Sequence, residues 1–222
     1  MTDQEDTRSP IPPPPPPRPD LAKMREAVNL FLQAAGHDPA QEPHLTNTAA
    51  QVAQAWAADF LDGYGKDPAR ILRDSIEFPL GRAFGVDGRK CDFFHLPVAI
   101  RDIAIVGVCP HHLLPWGGLA HIAYLPHGKV LGFDAIVQAV NALSHRLTLQ
   151  EELAWDIATA LHHALGDADV LVRLEARQPC LMHRGEKQDR AVTISTAFVC
   201  PMALGSPVRD TAEARLLSAL TR

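Results

Sequence analysis

The order in which two hydrophobic periods follow one another limits the fold of this chain more than any other feature. Up to about Gly88 the apolar residues recur at helical spacing, and beyond it runs of β-type residues arrive in pairs while helical stretches arrive in groups. Leu21, Met24, Val28, Phe31 and Leu32 follow the 3.6 period behind Asp20, a capping residue, and Gly36 can end that helix. A second helix is expected from about Thr48 to Leu61, closed by Gly63, and Asp67-Pro68 reads as an N-cap and first-turn proline opening a third, short one. Phe93 to Pro97, Val98 to Val108 and Leu119 to Tyr124, with a turn at Pro126-His127-Gly128, read as paired strands. Asp134 precedes an amphipathic stretch with Ile136, Val137, Val140 and Leu143, and Thr148-Leu149-Gln150-Glu151 has the spacing of a capping box opening a helix that ends at Gly166. Strands at about Val170 to Ala176 and Val192 to Val199 follow, and Asp210 with Glu213 is placed to cap a last helix. Hairpin strands with grouped helices predict an α+β fold on an antiparallel sheet, not a doubly wound parallel one.

A chain of 222 residues with 46% hydrophobic content can bury one substantial core. Three stretches are expected: a tail over 1–19, a helical N-terminal segment over 20–90, and the sheet-bearing domain over 91–222. Pro12 to Pro17 run unbroken and cannot donate backbone hydrogen bonds, so the tail reads as disordered and locally polyproline II, with docking in an aromatic groove as a second reading. Lys+Arg 21 against Asp+Glu 26 offers no general attraction for nucleic acid or an anionic membrane. No apolar run reaches the ~20 residues that span a bilayer, and the start lacks the basic and apolar regions of a signal peptide. These features point to the cytoplasm, where four cysteines are expected as thiols or metal ligands.

Val108-Cys109-Pro110-His111-His112 places a thiolate and an imidazole three positions apart at the end of an apolar strand, a spacing suited to one metal ion. That donor pair favours zinc. Cys180, after another strand and beside Pro179, is the best-placed third ligand, because Cys91 and Cys200 have no neighbouring ligand type. Three protein ligands with a fourth position open for water form the catalytic pattern, while two buried thiols beside surface histidines are the plainer alternative.

The stretch from Arg101-Asp102-Ile103 through Cys109-Pro110-His111-His112 to Ala123-Tyr124-Leu125-Pro126 and Val130-Leu131-Gly132 resembles GTP cyclohydrolase I, as do Gln150-Glu151 and Cys180 with Arg184-Gly185. The resemblance runs in order over roughly residues 46 to 220. It implies a tunnelling fold, with an antiparallel sheet carrying helices on one face. Subunits of that fold join as a homo-oligomer, usually a decamer of two pentamers, with active sites between them. It also implies Zn2+ on Cys109, His112 and Cys180, activating a water that attacks C8 of guanine and opens the imidazole ring. Formate release and rebuilding as a pterin follow in the family. His111 matches the histidine that moves protons, and Glu151 matches the glutamate that accepts from the N–H groups of the guanine edge, with Gln150 as its neighbour. For Glu151 the capping box is the second reading. Leu131, Phe133 and Arg184 complete the substrate-binding set implied.

The departures are as informative as the matches. Thr48-Ala49-Ala50-Gln51-Val52-Ala53-Gln54 carries Gln51 and Gln54 where the family has an arginine and a lysine for the triphosphate, and Phe133-Asp134-Ala135 with Gln138 lacks another lysine and arginine. Asp134 adds negative charge there, beside its reading as an N-cap. Arg184 and Arg146 remain, and Lys187 or Arg190 could compensate. Four lost charged hydrogen bonds are worth about 6 kcal/mol, or about four decades of affinity if additive. A substrate with fewer phosphates is therefore expected: a guanine nucleoside monophosphate, a nucleoside, or a related purine or pterin. Gln178, catalytic by position, replaces a second histidine and cannot exchange a proton near neutral pH, which predicts chemistry that stops at a ring-opened formamide or after formate release. Pro110 replaces the usual glutamate and stiffens the loop. An ordinary GTP cyclohydrolase I in folate or pterin synthesis, and a zinc-stabilised purine-binding oligomer without turnover, are the alternatives.

Overall fold

The computed structural model describes residues 19–73, 76–77, 96–126, 129–202 and 206–221. The proline run, Cys91, the Phe93 end of the first expected strand and His127-Gly128 of the expected turn lie outside the described residues.

Helix α1 (Leu21–Ala34) begins where Asp20 accepts hydrogen bonds from the N–H groups of Ala22 and Lys23. Helix α2 (Thr48–Ala55) continues through a π-helical turn over Trp56–Phe60 into a 3-10 turn over Asp62–Gly65, so the rod expected to reach Leu61 is present but more widely wound at its end. Gly63 is there for room: a Cβ would sit 2.5 Å from the Ala142 carbonyl oxygen and 2.7 Å from that of His145. Asp67 caps α3 (Pro68–Ile71) through the N–H groups of Ala69 and Arg70.

The remaining elements are β1 (Ile76–Glu77), β2 (Val98–Val108), β3 (Pro115–Tyr124), β4 (Lys129–Val130), α4 (Phe133–Ser144), α5 (Gln150–Ala164), β5 (Val170–Arg177), α6 (Pro179–Met182), β6 (Thr193–Val199) and α7 (Pro207–Thr221). The four long strands form one antiparallel sheet in the order β2-β3-β5-β6, and β1 pairs with β4 apart from it. Period-two alternation divides the sheet. Ala120, Ile122 and Tyr124 of β3 and Val170, Val172 and Leu174 of β5 face a core shared with Ile136 and Val140 of α4 and Leu153, Ile157 and Leu161 of α5. The alternate residues Ala123, Leu171 and Phe198 face Ala212, Leu216 and Leu220 of α7. Thus α4 and α5 layer one face as an α+β fold requires, and α7 adds a smaller layer on the other. Each fully buried leucine or isoleucine contributes roughly 1.5–3 kcal/mol. No described helix is long and apolar enough to cross a membrane.

Three expected caps lie elsewhere. Gly132 is the N-cap of α4, so Asp134 falls in the first turn, where its charge still complements the helix dipole. Asp210 likewise lies in the first turn of α7, which Pro207 opens. The N-cap of α5 is Leu149, and the Thr148 hydroxyl donates to the Leu149 carbonyl instead of capping. A longer-range contact explains the shift: Val108 bridges Leu147 in parallel fashion and accepts from the Thr148 N–H at 3.0 Å, holding this segment extended.

Candidate metal and purine site

Antiparallel order gathers four strand ends at one edge of the sheet, through Val108 opposite Pro115, Gly117 opposite Arg177 and Ala176 opposite Thr193. The loop from β2 to β3 is tight: the Cys109 N–H donates to Leu114 at 3.0 Å, the Leu113 N–H returns to Cys109 at 2.9 Å, and Leu113 takes φ +52°. Its base is fixed by buried Trp116 lying over Gly107, where a Cβ would meet the indole at 2.5 Å. At the neighbouring strand end, Gln178 caps the single turn of α6 that carries Cys180.

This arrangement brings the ligand atoms of Cys109, His112 and Cys180 within 4.8 Å of one another. Cys109 Sγ and His112 Nδ1 stand 3.6 Å apart. A tetrahedral zinc with Zn–S of about 2.3 Å and Zn–N of about 2.0 Å has such an edge at roughly 3.6 Å, so the donor set fits the ion. Cys109 is buried, Cys180 half-buried and His112 exposed, which leaves the outer side open to water. Burial pushes the Cys180 thiol up, and the adjacent Cys109 pushes it the same way. Two thiols so close ionise together only with a cation between them. Exposed His111 flanks the group, its ring centroid 6.2 Å from that of His112.

Gln178, two residues before Cys180, is hydrogen-bonded to Gln150. Buried Gln150 donates from Nε2 to the carbonyls of Leu174 at 3.1 Å and Thr193 at 3.0 Å, and its Oε1 accepts from Gln178 Nε2 at 3.0 Å and Thr193 Oγ1 at 2.5 Å. Its amide is filled on both sides. Through these bonds Gln150, expected to touch substrate, ties α5 to the sheet and to Gln178. Glu151 beside it is exposed in the first turn of α5, without the cap hydrogen bond its spacing suggested.

Two expected substrate residues stand elsewhere in the chain. Leu131 is 3% exposed, packed in the main core, so its side chain offers no binding surface. Phe133 is exposed, but it opens α4, about 18 Å of helix from the end that approaches Val108. Arg184 lies exposed in the loop after α6. Arg146, a remaining cation, is spent on structure. Its Nε donates to Ala142 at 2.7 Å, its Nη2 to Gly63 at 3.1 Å and Lys66 at 3.3 Å, and its guanidinium lies 5.7 Å from the Tyr64 ring centroid. Burial shifts the Arg146 pKa downward. Gln51 and Gln54 line an open groove with Arg25, Asn47 and Asp59. The Gln150–Thr193 network and the Arg146 clamp are not legible in the sequence because both are closed in large part by backbone carbonyls, which no side-chain motif marks.

The family model of GTP cyclohydrolase I matches residues 24–212. GTP cyclohydrolase 1 of Ralstonia nicotianae is 37% identical over 182 residues, covering 81% of this chain and 79% of its own. The enzyme of that name from Chromobacterium violaceum is 39% identical over 187 residues, covering 82% of each. A solved structure, the archaeosine synthase QueF-Like in the apo form, overlaps 48% of this chain and 96% of its own with a TM-score of 0.39 and 20% identity. With a matching model over most of its length and relatives this similar, the chain belongs to the GTP cyclohydrolase I family of hydrolases.

Proposed function

We propose that this protein is a zinc-dependent cytoplasmic cyclohydrolase that opens the imidazole ring of a guanine nucleotide or related purine at C8, with a preference for substrates carrying fewer phosphates than GTP. The convergence of Cys109, His112 and Cys180 within 4.8 Å, open on one side, carries this reading. Zinc, when bound there, supplies Lewis-acid polarisation and a water acidic enough to act near neutral pH. His111, exposed beside that opening, moves protons to and from the ring nitrogens. Glu151 accepts from the donor edge of the guanine, for which a carboxylate is the matching acceptor. Gln178, held by Gln150 at 3.0 Å, can hydrogen-bond to the opened ring but exchanges no proton.

The position of Phe133 supports a site completed between subunits. Exposed at the far end of α4, it reaches a metal group only in a neighbouring copy, as a ring or decamer of this family would allow. Sequestration of Arg146 supports the substrate preference. With Gln51, Gln54, Ala135 and Gln138 neutral, Arg184, Lys187 and Arg190, exposed in the loop after α6, are the cations among the described residues that this reading assigns to phosphate.

The test is zinc-replete protein assayed on GTP, GMP, guanosine and guanine, with Cys109→Ala as control. Turnover of GMP or guanosine at a kcat/KM at least equal to that of GTP, with a ring-opened product by mass spectrometry, is the expected result. Strong preference for GTP overturns the substrate preference and returns the chain to the activity for which its relatives are named. A fluorescent dihydropterin product overturns the truncated chemistry. The locking of Gln178 to Gln150 favours one further reading, a purine-binding zinc oligomer without turnover, which stoichiometric zinc with no product from any substrate would establish.

A further inference from the structure

A second cluster of ligand-type side chains stands at the far end of α5, about 22 Å of helix from Gln150. His162, His163 and Asp167 offer three ligand atoms within 4.8 Å of one another. Asp167 Oδ1 lies 3.4 Å from His162 Nε2 and 3.7 Å from His163 Nδ1. Tetrahedral ligands with bonds of about 2.1 Å stand about 3.4 Å apart, so the two measured edges fit one ion.

The backbone holds this geometry. The Gly166 N–H donates to His163 at 3.2 Å and the Asp167 N–H reaches back to His162 at 2.9 Å, the paired bonds of a Schellman closure. Gly166 at φ +73° and Asp167 at φ +61° make the turn that returns the carboxylate over the two imidazoles. His162 is 8% exposed, and its Nδ1 faces the Ala168 carbonyl oxygen at 2.7 Å. A carbonyl only accepts, so Nδ1 carries the hydrogen. When that ring is neutral, Nε2 presents its lone pair to the carboxylate, two acceptors facing each other. A cation between them resolves the conflict, and a backbone carbonyl on the other ring nitrogen is the outer contact that metal-binding histidines commonly use to fix their tautomer.

We propose that His162, His163 and Asp167 form a second metal site, for a divalent transition ion suited to nitrogen and oxygen donors such as zinc or nickel, which fastens the turn between α5 and β5. It has no thiolate and takes no part in the reaction above. The test uses the full-length chain dialysed to equilibrium against buffered Zn2+, with bound metal counted by mass spectrometry. Two zinc ions per chain are expected in the wild type, falling to one in His163→Ala and in Asp167→Asn. Both side chains are exposed, and asparagine tolerates the left-handed conformation, so both variants keep the fold. With Co2+, the thiolate charge-transfer absorption of the Cys109 group is expected unchanged in both variants, which separates loss of the second site from loss of the first. One ion per chain in the wild type, as an imidazolium–carboxylate pair would give, overturns the proposal. So does a second ion that survives both substitutions.

Discussion

At its first turn α5 is held by residues far away in sequence, and at its last turn by the residues that directly follow it. Gln150 bonds to Leu174, Gln178 and Thr193, while the segment leading into it is gripped by a separate clamp: Asp62 on His145, the Gly63 and Lys66 carbonyls on Arg146, and the Tyr64 hydroxyl on the Leu147 N–H. The other end closes through Gly166, Asp167 and the Ala168 carbonyl, the residues that follow it. Long-range assembly lets one end collect chemistry from β2, α5, β5, α6 and β6, and makes the site hostage to the whole fold. Local closure makes a smaller site that needs only the helix and its turn.

This contrast sets an order of expected effects. Replacing Cys109 by alanine removes a ligand delivered by β2, and turnover is expected to fall by more than about 100-fold, since even the outer contacts of a metal ligand are worth about 10–100-fold. Retained turnover without bound zinc would sink the metal mechanism. Gln150→Met strips donors from the Leu174 and Thr193 carbonyls, at about 1–3 kcal/mol for each acceptor left buried. The urea midpoint should fall accordingly, and an unchanged midpoint would mean that α5 is anchored by its apolar face alone. Arg146→Met is expected to cost about 2 kcal/mol of stability while leaving KM for GTP and for guanosine in the same ratio. A selective rise in KM for GTP would instead put Arg146 on a phosphate.

The same contrast decides what the sequence made legible. Asp20 and Asp67 cap as their positions suggest, because each cap is completed within three residues. Cys109, His112 and Cys180 were found by residue type and family motif, and the sheet order then explains why they meet. The Thr148 box failed because a pairing with Val108 in β2 outcompeted a local cap. The burial of the Leu131 side chain is not legible in its motif, since a motif fixes a residue's neighbours in sequence but not which side of the chain faces the core. His162, His163 and Asp167 do not stand out as a group in the sequence for the opposite reason: adjacent histidines do not share a helical face, and only the reversal at Gly166 brings the carboxylate to both.

The smallest expected effect concerns pH and separates the two ends directly. Burial pushes the Asp62 carboxyl up, but hydrogen bonds and charge from Lys66 and His145 outweigh it, leaving the group below its ordinary 3.8. A carboxyl with a depressed pKa contributes stability that is fully present above the unfolded value and is lost as pH falls through the folded one. The clamp on the segment leading into α5 therefore weakens below about pH 4, where protonated Asp62 no longer draws Lys66 and His145. Urea midpoints measured between about pH 3 and pH 6 should fall less steeply in Asp62→Asn than in the wild type. His163→Ala, at the locally closed end, should keep the wild-type slope over that range. Parallel acid limbs for wild type and Asp62→Asn would remove the clamp from the account of how this end is held, and with it the reason that Arg146 points at carbonyls and not at phosphate.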